Sequence, residues 1–113
     1  MSEQDDWERA TYAPLAEVDP RLAQRLRARF VRRFAARARL SDRLRDEAEE
    51  QLVLDQGLTA GGTRILRADL PLGCGQSWHE WDGSQEDADG IVDSMADTAG
   101  GDLFDDLAQR ERP

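Results

Sequence analysis

Lysine is missing altogether from this chain of 113 residues, and all fifteen of its basic residues are arginine. Such a bias points to a GC-rich coding genome, bacterial or phage in type. Only one cysteine is present, Cys74, so no disulfide can form within the chain. No stretch approaches the roughly 18 consecutive apolar residues that a membrane-crossing helix needs. The first eight residues are acidic and polar, without the basic start and apolar run of a secretory signal. A cytoplasmic chain with no membrane partner is expected. Large apolar side chains are scarce too. Leu, Ile, Val and Phe together number 22, and the net charge is −9. That combination lies at the border between globular and partly disordered chains. The length leaves room for one small core, not for a barrel or a dinucleotide-binding fold.

What the chain does have is segregated charge. Residues 20–40 hold eight arginines and no acid, whereas residues 80–109 hold ten acids and no base. Residues 1–19 and 41–62 are each net acidic, by −5 and −4. Net −9 is therefore a basic segment set among acidic ones, and the question is where the two poles go.

Asp19-Pro20 reads as a helix start, with an acceptor for the free amides followed by a residue suited to the first helical position. Leu22, Leu26, Phe30 and Phe34 then recur every four residues, as do Leu40, Leu44, Ala48 and Leu52. The two sets fall on one face if the helix is unbroken. Ser41-Asp42 equally suits a second helix start, giving a kinked pair. The favoured reading carries the helix on through 51–55, with Gly57 as its left-handed end and Leu58 folded back on Val53. A short strand over 51–55 is the competing reading.

Leu66, Ala68, Leu70 and Leu72 alternate with Arg67 and Asp69, which predicts an extended segment over 63–72. A lone strand leaves its backbone groups unpaired, so it needs a second copy, another protein's sheet edge or the N-terminal arm. Ile91, Val92, Met95, Ala96 and Ala99 fit a short acidic helix, ended by Gly100-Gly101. The expected fold is mainly α: a long or kinked arginine-rich helix, one extended segment and an acidic C-terminal helix. A small α+β arrangement is the alternative. The expected organisation is an arm at 1–19, a single small domain at 20–81 and an acidic segment at 82–113.

Arg21, Arg25, Arg32, Arg39 and Arg43 lie within roughly 40° on a helical wheel, with Arg29 flanking. Guanidinium forks bind carboxylate or phosphate bidentately, so these six form a candidate polyanion-binding face. The plainer reading is that the chain's own acids neutralise it. Leu66, Leu70, Trp78, Trp81, Ile91, Met95, Leu103, Phe104 and Leu107 are candidate anchors for a protein partner, since apolar anchors give affinity while flanking charges steer encounter. The same residues could instead complete the chain's own core. Asp102-Leu103-Phe104 resembles the short leucine-phenylalanine peptides that dock on bacterial sliding clamps, with Gly100 where their glutamine usually stands. Cys74 and His79 could be pictured as nucleophile and base, but no third group is placed beside them. No spacing of Cys, His and acids matches a metal site.

These features favour a small non-catalytic protein that binds another protein as regulator, inhibitor or accessory subunit, without a cofactor, and that could also self-associate. The alternative is a nucleic-acid binder using the arginine helix, restrained by its acidic tail.

Overall fold

The structure, a computed structural model, describes residues 3–99. Leu103, Phe104 and Leu107, and the glycine stop at 100–101, lie outside the described residues. Along the chain come α1 (Glu3–Glu8), β1 (Thr11–Pro14), α2 (Leu15–Val18), α3 (Pro20–Ala38), α4 (Asp42–Gln51), β2 (Val53–Leu58), β3 (Arg64–Asp69), β4 (Gln76–Glu80) and α5 (Gln85–Thr98). The four strands form one antiparallel sheet in the order β1-β2-β3-β4. The fold is therefore α+β, and the mainly α expectation is corrected.

Two local features explain the correction. Gly57 does not end a helix. Leu52 caps α4, its N–H donating to the Ala48 carbonyl, and the chain leaves in extended geometry. Gly57 sits mid-strand, paired with Ile65 on one side and Tyr12 on the other. It is glycine because the Tyr12 ring lies across its backbone, where a Cβ would fall inside the ring's van der Waals surface. The segment 63–72 is likewise not a lone strand. Residues 64–69 pair with β2 and with β4, two strands supplied by this chain. Both partners are short, and their polar residues hide the period-two pattern.

The helical segment breaks where Ser41 suggested a second start. Arg39 takes the left-handed conformation, with φ 54° and ψ 48°. Ser41 then accepts the Leu44 N–H at 3.2 Å and opens α4. Asp19 caps α3 as read, accepting the Leu22 N–H at 3.2 Å, with Pro20 in the first turn.

Side chains on paired strands alternate between the two sheet faces. Leu54, Leu66 and Ala68 turn to one face and join a core built with Leu26, Phe30 and Phe34 of α3, Ala48 of α4, and Ala88, Ile91, Val92, Met95 and Ala96 of α5. Phe30 and Phe34 stack at 5.4 Å between ring centroids. Trp81 plugs the end of this core, its indole N–H donating to the Ser84 carbonyl at 2.8 Å. The other face carries Tyr12, Asp55, Ile65, Arg67 and Trp78. There Arg67 forms an ion pair with Asp55 at 2.5 Å and stacks 4.3 Å from the Tyr12 ring centre. The Tyr12 hydroxyl donates to the Trp7 carbonyl.

The close approach of Tyr12 gives a direct test. Gly57→Ala displaces the ring from the second face and is expected to destabilise the fold by about 1–3 kcal/mol, read by urea denaturation. Tyr12→Ala in the same background removes the clash, so the two changes together should cost less than their sum.

Candidate interaction surface

The helix α3 is amphipathic with an unusual polar side. Its buried stripe is Ala23, Leu26, Phe30, Val31, Phe34, Ala35 and Ala38. On the flank of that stripe Arg25, Arg29 and Arg33 stand one turn apart. Across from them on α5 stand Asp89, Asp93 and Asp97, also one turn apart. The bonds are bidentate and in step. Arg25 binds Asp89 at 3.3 and 2.8 Å, Arg29 binds Asp93 at 2.8 and 2.7 Å, and Arg33 binds Asp97 at 2.7 and 2.8 Å. Numbers rise together along both helices, so α3 and α5 run parallel. Arg37 continues the row on a different acceptor. It donates to the carbonyls of Ala96 and Ala99 at the end of α5, at 3.3 and 3.1 Å, where the helix dipole is negative.

This ladder joins the basic and acidic poles inside one molecule. Hydrogen bonds from the arginines hold the carboxyls of Asp89, Asp93 and Asp97 below the usual aspartate range. Neither Arg33 nor Arg37 belongs to the polyanion face expected from the sequence. The signal that finds them is the shared four-residue step of Arg25, Arg29, Arg33 and Arg37 and of Asp89, Asp93 and Asp97.

Of the six arginines of that face, Arg25 and Arg29 are rungs of the ladder, and Arg43 on α4 has a contact of its own. Arg21, Arg32 and Arg39 remain, all exposed and with no ion-pair partner among the described residues. They lie within roughly 20° of one another on the outermost line of α3, over roughly 27 Å. Arg27 turns the other way, its guanidinium donating to the Glu49 carbonyl.

The expected apolar anchors are placed very differently. Leu66, Trp81, Ile91 and Met95 are buried in the chain's own core, and Leu70 packs against it half-buried. Trp78 and His79 are half-buried on opposite faces of β4. His79 Nε2 lies 2.9 Å from the Ser77 hydroxyl. Burial lowers the His79 pKa and raises that of Cys74, so both groups are pushed toward their neutral forms. Among the described residues no carboxylate orients the His79 ring. No cluster of three His, Cys or acidic groups there could hold a metal ion, and no helix is long and apolar enough to cross a membrane.

Comparison with protein-family models, with curated proteins and with solved structures finds no match for this chain.

The ladder makes the fold acid-sensitive with a definite sign. The three aspartates bind protons more weakly folded than unfolded. Their contribution is full above the unfolded aspartate value of about 3.9 and is lost as pH falls through the lower folded values. The ladder's share of stability should hold from about pH 7 to pH 5 and fall below about pH 4, whereas the lowered His79 pKa costs stability as pH falls below about 6.5. Replacing all three aspartates by asparagine should lower Tm at neutral pH and flatten the acid limb. Asp93→Asn should act more strongly than Asp97→Asn, because the Asp93 side chain is 23% exposed and that of Asp97 46%. An unchanged acid limb in the triple variant would remove the ladder from the stability of the fold.

Proposed function

We propose that this chain is a small non-catalytic protein that binds an acidic surface of another protein, as a regulator, inhibitor or accessory subunit, through the arginine row Arg21, Arg32 and Arg39. One observation carries the reading. Arg39 occupies a left-handed position at the end of α3, where glycine is free of the steric cost of about 1 kcal/mol or more that a side chain meets. The other non-glycine residue with positive φ among the described residues, Leu72, packs its side chain against the core and donates its N–H to the Gln51 side chain at 2.7 Å. Among the described residues the exposed Arg39 side chain has no hydrogen bond or ion pair. A locally unfavourable residue with no compensating polar contact among the described residues points to a use outside the fold.

The chemistry favours a protein carboxylate surface over nucleic acid. Three guanidinium groups spaced by roughly 10 and 16 Å are too sparse to track a phosphate backbone. The aspartates of α5 run alongside them, and Asp42, Asp46, Glu49 and Glu50 crown the outer face of α4. These acids would repel a polyanion that extends beyond the row. A folded acidic surface can present carboxylates at matching points and leave the acidic flanks uncontacted. Arginine forks suit such sites because each binds a carboxylate bidentately.

Removing residues 82–113 cannot separate the two kinds of partner, since α5 supplies Ala88, Ile91, Val92, Met95 and Ala96 to the core. Point changes on the exposed row can. Arg39→Gly should raise stability by up to about 1 kcal/mol while weakening partner capture. Charge reversal of Arg21, Arg32 and Arg39 to glutamate should abolish capture with the circular dichroism unchanged. The measurement is affinity capture with cross-linking in an extract of the source organism, wild type against variants, alongside RNA and DNA titrations at several salt concentrations. Tight binding to nucleic acid with a steep salt dependence would overturn the protein-partner reading. Capture indifferent to all three reversals would remove the arginine row from it.

A further inference from the structure

The two edges of the sheet are not equivalent, and their hydrogen-bond phase can be read. At the ends of the β3–β4 ladder the Trp81 N–H donates to the Arg64 carbonyl at 2.9 Å and the Leu70 N–H to the Gly75 carbonyl at 2.7 Å. Bonded pairs alternate in an antiparallel ladder. With the register Leu66↔His79 and Ala68↔Ser77, it is therefore Ser77 and His79 that bond to β3. Gln76, Trp78 and Glu80 turn their N–H and C=O groups outward, away from the sheet. No described residue bonds to these backbone groups.

The same reasoning applies at the other edge. The Thr59 N–H donates to the Thr63 carbonyl at 2.9 Å, so Val53, Asp55 and Gly57 bond to β3, and Leu58 and Gln56 bond to Thr11 and Ala13 of β1. Tyr12 and Pro14 face outward there. Pro14 has no N–H, β1 spans only Thr11–Pro14, and α2 follows at once. That edge is closed by the devices that keep sheets from pairing. Across Gln76–Glu80 there is no proline, no glycine, no basic residue and no bulge.

We infer that the β4 edge is a self-pairing surface and that its occupant is the β4 strand of a second copy of this chain, antiparallel about a two-fold axis at Trp78. This register is the one that uses every outward group. Gln76 lies opposite the partner's Glu80, and Trp78 lies opposite the partner's Trp78. Between these bonded pairs, Ser77 lies opposite the partner's His79. No like charges meet, because Glu80 is the strand's single charge and faces an amide. A two-fold contact of this kind closes on itself and joins two four-stranded sheets into one of eight strands. The surface is separate from the arginine row on α3.

The test uses the full chain. Analytical ultracentrifugation from about 10 µM to about 1 mM should show a reversible monomer–dimer equilibrium. Over the same range, amide hydrogen exchange followed by NMR should show protection of the Gln76, Trp78 and Glu80 amides that rises with the dimer fraction. Gln76→Pro removes an outward N–H and spares the inward backbone ladder, at the loss of the Gln76 side chain's bond to Asp69, and should weaken dimerisation about tenfold or more. Reversal of Arg21, Arg32 and Arg39 should leave dimerisation unchanged. A chain that stays monomeric throughout, or a dimer whose three amides exchange as fast as in the monomer, would overturn the inference.

Discussion

The arrangement of this molecule depends on one interaction, the in-step pairing of Arg25, Arg29 and Arg33 with Asp89, Asp93 and Asp97. Parallel neighbouring helices place like dipole ends side by side, which is unfavourable. Rungs of opposite charge offset that and fix the sliding register between α3 and α5 to a single turn. Once α5 is held there, Ile91, Val92 and Met95 meet the face of Phe30 and Phe34 over the sheet. The ladder also has a natural end. A four-residue step advances each row about 40° around its helix, so the rungs swing away from the shared face. After the third rung Arg37 reaches the Ala96 and Ala99 carbonyls at the end of α5.

Internal neutralisation changes what net −9 means. Most of the basic segment is consumed within the fold, and the face left to solvent is a thin line of guanidinium groups with acids on both sides. An exposed pair in the ladder contributes little alone. Its value lies in specifying one register among several that the apolar residues would tolerate. Sliding α5 by one turn toward Arg37 would leave Arg25 without its carboxylate and take Arg37 off the carbonyls of Ala96 and Ala99.

The helices were legible because their signals are local. Asp19-Pro20 and Ser41 are caps, and the four-residue stripe from Leu22 to Leu52 follows from burial of one face. The acidic helix around Ile91 was legible for the same reason. The sheet was largely not, apart from β3, whose alternation from Leu66 to Leu72 is a pattern of the strand itself, and the competing strand reading at 51–55, which overlaps β2. β1 and β4 are too short to show a period, and β4 holds one large apolar side chain, Trp78, among polar ones. Gly57 misled because its usual local meaning, a helix end, was overridden by a tertiary contact: it is glycine for the sake of Tyr12, 45 residues earlier. The arginine face was visible as a face. Its division into paired and unpaired members required the partner helix, although the common step of the arginine and aspartate rows was already in the sequence.

A chain with so few large apolar residues faces a particular difficulty with a sheet, which has two faces to cover. The helices cover one. Among the described residues the second has no packed helical layer comparable to α3 and α5, yet Ile65 is fully buried and Asp55 nearly so. Cover comes from side chains of the sheet itself. Tyr12 lies flat across Gly57, and Arg67 stacks on the ring while neutralising Asp55. Trp78 stands beside Arg67 on the neighbouring strand, in register with it. Planar groups lying against the backbone seal a face with little depth of apolar material. Such cover works where strands have neighbours on both sides, because the planar groups bridge from strand to strand. At β4 the bridging stops, and the backbone groups of Trp78 face outward along an edge that no described residue pairs. The same economy that lets a chain of this composition fold therefore leaves its sheet unfinished on one side, and the two-fold register about Trp78 is the continuation that the strand's own sequence permits.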